Sequence, residues 1–100
     1  MTRHYLITAY DYPNSLAHQL SVRPAHLANM EKVDGCIIMA GGILNDQGQA
    51  IGSALVMKFE SQEKLQAYLD SEPYLKEGVW EKVKVEPFNT VILNNEKVGS

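Results

Sequence analysis

Two kinds of apolar spacing alternate along the chain, and the alternation predicts its elements. Residues 4–10 (His-Tyr-Leu-Ile-Thr-Ala-Tyr) are β-prone and end in the turn cluster Asp11-Tyr12-Pro13-Asn14. Helical spacing follows. Ser21 can cap a helix, Pro24 falls in its first turn where a missing N–H costs nothing, and Val22, His26, Met30 and Val33 share one stripe until Gly35. Residues 36–40 read as a continuous apolar strand closed by Gly41-Gly42, and a polar loop at 45–49 leads to a third strand, 53–59. Ser61 opens a second helix carrying Leu65, Tyr68 and Leu69. It breaks at Asp70-Ser71-Glu72-Pro73, because the residue before a proline is pushed out of the α region. A short turn around 74–80 precedes a last strand from about residue 83 to 93, and the polar tail 94–100 is expected to be loose. The predicted order is β-α-β-β-α-β, the ferredoxin-like arrangement of an α+β domain with an antiparallel sheet.

The strand faces change the picture. Two helices cover one face of such a sheet, and the other can then be polar. Here it is not: Leu55, Met57 and Phe59 oppose Ala54 and Val56, Tyr5, Ile7 and Ala9 oppose Leu6, Thr8 and Tyr10, and residues 36–39 are apolar on both sides. A second apolar face predicts association, most simply with the same face of a second copy. A homodimer is the expectation.

Composition narrows the partners. The balance of 45% hydrophobic to 21% charged residues is that of a globular domain, neither disordered nor membrane-spanning. Nine scattered Lys and Arg residues in a chain of net charge −3 argue against nucleic acid. No apolar run approaches the roughly 20 residues that cross a bilayer, and the N-terminal residues lack a signal-peptide pattern. The single Cys36 cannot form an internal disulfide, which fits a reducing compartment, the cytoplasm.

No Gly-rich phosphate loop, paired-Cys zinc pattern or His-Glu-x-x-His is present, so the expectation is chemistry on side chains without a cofactor or metal. His26 is the leading candidate. Its stripe places the ring at the helix–sheet junction, where it is either a core histidine bonded to one carbonyl or a base. The second reading needs a carboxylate, and Asp11, at the end of the first strand, is close in chain; it is also a natural turn residue before Pro13. Arg23, one turn before His26, can hold an anionic oxygen or lie in solvent. Ser15 and Tyr10 can bond a ligand, and Glu72, Pro73, Tyr74 and Trp80 can wall a pocket or simply fill the core. On local grounds a dyad is permitted and not required.

Taken together, Asp11, Leu20-Ser21-Val22-Arg23-Pro24-Ala25-His26-Leu27, Ala40-Gly41, Phe59-Glu60-Ser61, Glu72-Pro73-Tyr74, Gly78-Val79-Trp80 and Val83 to Phe88 resemble the YCII-related proteins. The resemblance covers about residues 4–92 in the family's order, so that the chain reads as a single YCII-like domain. It implies a dimeric α+β barrel and a His–Asp dyad mapping onto His26 and Asp11. Two departures stand out: Glu72 where the family often has Asp before Pro-Tyr, and Gly42 where it often has Pro. A characterised activity in the family is elimination of HCl from a chlorinated hydroxyhydroquinone, giving a hydroxybenzoquinone in chloroaromatic degradation. The resemblance therefore implies a cofactor-free lyase acting on a small aromatic substrate. The same dyad would also serve an isomerase or other proton-transfer enzyme on a small cyclic acid or lactone, and a non-catalytic small-molecule-binding dimer is the reading from another class.

Overall fold

The computed structural model describes residues 2–33 and 35–99. Its elements run β1 (Arg3–Asp11), α1 (Leu16–Lys32), β2 (Ile37–Leu44), β3 (Ala50–Phe59), α2 (Gln62–Ser71), α3 (Pro73–Lys76), β4 (Trp80–Phe88), β5 (Ile92–Leu93) and β6 (Glu96–Lys97). β1 to β4 form one antiparallel sheet in the order β2-β3-β1-β4. This is the expected ferredoxin-like α+β fold.

Register decides what faces what. Ile7 pairs with Leu55 on one side and Val85 on the other, and Tyr5 pairs with Met57, so these side chains share the face that carries the core. Ile7, Leu55 and Met57 are fully buried there, with Val22 and Met30 from α1 and Leu65 and Tyr68 from α2 packed over them. At the sheet's centre the β1 backbone passes so close to β3 that a Cβ at Gly52 would collide with the Ala9 carbonyl. The opposite face carries Leu6, Val56 and Met39, with Met39 57% exposed.

The structure moves several boundaries. α1 starts at Leu16, with the Gln19 N–H donating to the Ser15 carbonyl, because Leu16 to Leu20 are good helix formers and need no cap at Ser21. Ser21 instead turns its hydroxyl onto the His18 carbonyl, and Pro24 lies inside the helix, depriving the Leu20 carbonyl of its usual donor. Gly41 and Gly42 do not close β2. They pair with Ala54 and Ser53, since the ladder outweighs glycine's poor strand propensity. The turn expected around 74–80 holds a helical turn, α3, and β4 ends at Phe88. The tail is not loose over its described length: Ile92 and Leu93 pair with Lys97 and Glu96 across Asn94-Asn95, both at positive φ as a tight hairpin turn requires. Ser100 lies outside the described residues.

Candidate active site

The helix break at Pro73 builds the site. Glu72 precedes the proline in extended conformation, ends α2 and caps α3, its Oε1 accepting the Tyr74 N–H at 3.1 Å. One helical turn earlier, the Tyr68 hydroxyl donates to Oε2 at 2.6 Å. The third donor comes from α1: His26 Nδ1 lies 2.6 Å from Oε1. Glu72 is fully buried, yet both its oxygens are engaged, which is what a carboxylate needs away from water. The Tyr68 hydroxyl also touches Met30 Sδ at 3.7 Å.

This pairing fixes the imidazole. With Nδ1–H given to the carboxylate, Nε2 is the bare nitrogen, and among the described residues nothing bonds it. The Tyr74 ring stacks on the imidazole at a centroid distance of 4.1 Å and 15° between planes, closing one face. Trp80 then backs Tyr74 at 5.9 Å. The His26 side chain keeps 12% exposure, into a cleft of about 470 Å³ between α1 and the sheet. Gln19, Arg23, Met30, Gly42, Ser53 and Tyr74 are among its lining residues.

Electrostatics agree with a dry interior beside a wet mouth. Burial, then the hydrogen bond and charge of Glu72, push the Tyr68 hydroxyl far above the usual tyrosine range, so it stays a donor. Burial also raises Tyr74, against the nearby Arg23, which lowers it, and with Asp11 and Glu72, which raise it further.

The residues expected in the site divide into two groups. His26, Arg23, Glu72, Pro73, Tyr74 and Trp80 come together, with Pro73 opening α3 and Trp80 in the wall behind Tyr74. Asp11, Tyr10 and Ser15 do not line the His26 cleft, although the Asp11 charge is felt at Tyr74. They line a separate hollow of about 580 Å³ at the end of β1, beside the 45–49 loop and the start of β3. The carboxylate on His26 is therefore Glu72 and not Asp11: the register sets Asp11 opposite Trp80, and its carboxyl, raised by burial, forms no bond to the imidazole. Glu72 is correspondingly no ligand contact, since it is shut beneath His26. Ser15 spends its hydroxyl on the Tyr12 carbonyl, and Tyr10 is 50% exposed. Sequence reasoning missed Gln19, which lies on the His26 stripe seven residues earlier and is buried. The signal was the periodicity itself, had the helix been started at residue 16.

These elements define a ferredoxin-like α+β domain whose helix–sheet cleft presents a carboxylate-bound imidazole. The chain belongs to the family of the YCII-related domain, which matches residues 4–89. It is 43% identical over 95 residues to protein YciI of Escherichia coli O6:H1, covering 87% of this chain and 97% of that protein. It is 30% identical over 96 residues to an uncharacterized protein of Haemophilus influenzae, covering 88% and 98%. Among solved structures it is similar to 5-chloro-2-hydroxyhydroquinone dehydrochlorinase (TftG) from Burkholderia phenoliruptrix AC1100, in complex with 2,5-dihydroxybenzoquinone. That match has a TM-score of 0.78 at 29% identity, over 85% of this chain and 92% of the other.

Proposed function

We propose that this chain is a lyase that eliminates HCl from a chlorinated hydroxyhydroquinone, with His26 as general base and Glu72 as the group that orients it. The observation that carries the reading is the His26 ring itself: Nδ1 bound at 2.6 Å to a buried carboxylate, Nε2 unbonded beside a cleft of about 470 Å³. A volume of that order suits a single-ring ligand. Likeness to an enzyme whose substrate is such a ring supports the substrate class.

The chemistry needs only proton transfers. His26 Nε2 takes a proton from a ring hydroxyl; the O–H electron pair becomes a C=O, and the ring carbon bearing chlorine receives a proton as the ring turns to its keto form. Removal of a second hydroxyl proton forms the second C=O, and chloride departs with the C–Cl electron pair. One HCl is lost, one hydroxyl proton ends on carbon, and a hydroxybenzoquinone results. Arg23, exposed at the mouth, steadies the developing oxyanion, and Tyr74 supplies a flat wall for the ring. The reading includes a second copy covering the open sheet face.

Chloride release from a panel of chlorinated hydroxyhydroquinones tests it. A positioned base contributes about 10²–10⁴-fold, so His26→Ala should lower the rate by at least about 100-fold. Mass-neutral conversion of a lactone without chloride, or saturable ring binding with no turnover in the wild type, would replace the lyase by an isomerase or a binding protein.

A further inference from the structure

Among the described residues, two side chains hold a buried polar atom that no hydrogen bond reaches, Gln19 Oε1 and Trp80 Nε1. Gln19 is the one that lines the cleft, at 7% exposure, on the same stripe of α1 as Arg23 and His26. A buried acceptor without a donor costs free energy, and an apolar side chain of similar size would not. Its terminal torsion is soft, so the amide can turn its oxygen to a ligand. The fold does not need an amide there.

We propose that Gln19 selects the substrate, its amide holding the ring oxygen para to the one whose proton His26 takes. The inference rests on the proposed ring chemistry at this cleft. Gln19 and His26 are seven residues apart, two turns and about 10 Å along the axis. Side chains on one helical stripe lean the same way, so this separation carries to their polar ends. A six-membered ring with oxygens at positions 1 and 4, hydrogen-bonded at both ends, spans about 11 Å. A ring with 1,2 oxygens is about 3 Å shorter and reaches only one of the two groups; a 1,3 ring is shorter by only about 1 Å, but its oxygens point about 120° apart instead of in opposite directions, so the second bond is poorly aligned. Arg23, four residues after Gln19 and three before His26, stands between them for a further oxygen.

The opposite wall fits a flat ring as well. A Cβ at Gly42 would meet only the Gly52 carbonyl at 3.7 Å and the Ala50 Cβ at 3.9 Å, ordinary contacts, and its φ is not positive. Neither backbone nor packing demands glycine there, in a strand that glycine weakens. Its missing side chain keeps the slot open.

Isothermal titration of the full chain with hydroquinone, catechol, resorcinol and 4-methoxyphenol tests the assignment. Wild type should bind hydroquinone at least about tenfold more tightly than the other three, the scale of one hydrogen bond. In Gln19→Met that preference should vanish, while the melting temperature of the ligand-free protein stays at or above wild type. Gln19→Glu, which keeps an acceptor at the same reach, should restore most of the preference. Equal binding of the isomers by wild type, or a preference that survives Gln19→Met, would overturn the inference. Should His26-dependent chloride release persist beside either result, the lyase stands and only the role of Gln19 is lost. A Gln19-dependent para preference without chloride release would have the opposite meaning.

Discussion

At the scale of single residues, the site is a chain of donors converging on one carboxylate. Tyr68, the Tyr74 amide and His26 all give a hydrogen to Glu72, and Tyr74 then covers the imidazole that Glu72 holds. Removing one donor leaves a buried acceptor short of a partner, so each member depends on the others. The Tyr68 bond has a pH signature. Its hydroxyl, raised by burial and by Glu72 from the ordinary value of 10.0, keeps its proton in the folded chain. Below about pH 10 both folded and unfolded chains hold that proton, and the bond's stabilisation is fully present. As pH rises further the unfolded chain ionises first, so the folded state loses ground. Wild type should therefore lose melting temperature more steeply than Tyr68→Phe between about pH 9.5 and 11, with Tyr74, shifted the same way, leaving a residual slope in both. Parallel curves in a pH series of thermal melts would remove Tyr68 from this account.

Elements explain which parts of the site could be seen in the sequence. His26 was legible because a helical stripe through Val22, Met30 and Val33 is a local property, and all four do face the sheet side of α1. Its partner was not. Glu72 lies 46 residues away, brought in by the break between α2 and α3, and nothing in the chain order favours it over Asp11, which is nearer in sequence. The break itself was readable from Pro73, so the geometry was present in the sequence without the pairing that uses it. Gln19 was hidden by a boundary: starting α1 at Ser21 leaves it in a loop, whereas the helix from Leu16 puts it on the stripe. Strand ends failed for a related reason. Glycine and asparagine mark turns by local preference, but pairing with β3 carries β2 through Gly41 and Gly42, and Asn94-Asn95 turns a small ladder inside a tail that reads as polar and loose.

At the scale of the whole molecule, the sheet has one face closed by helices and one open. Leu6 and Val56 stand on the central strands of this face, with Val56 already buried, Met39 is exposed on the edge strand β2, and Lys84 and Glu86 on β4, 3.6 Å apart at their charged ends, border the other edge. A second copy related by a two-fold axis is the simplest cover for an apolar face of this kind. Met39, 57% exposed on the edge strand β2, is the side chain such a dimer would bury. Met39→Glu should shift the protein from dimer to monomer in light scattering while leaving the circular dichroism of the fold intact. A dimeric Met39→Glu, or a monomeric wild type, would mean that this face is not the interface. No helix among the described residues is long and apolar enough to cross a membrane.

The proposed elimination begins at one nitrogen of one ring, Nε2 of His26, bare and facing the cleft. The ¹⁵N spectrum of the neutral form of the His26 side chain reports this directly. It should show Nδ1 protonated and Nε2 unprotonated, with the Nδ1 signal moved when Glu72 is replaced by Gln. A ring carrying its proton on Nε2 would leave no base in the cleft, and the proposed elimination could not begin there.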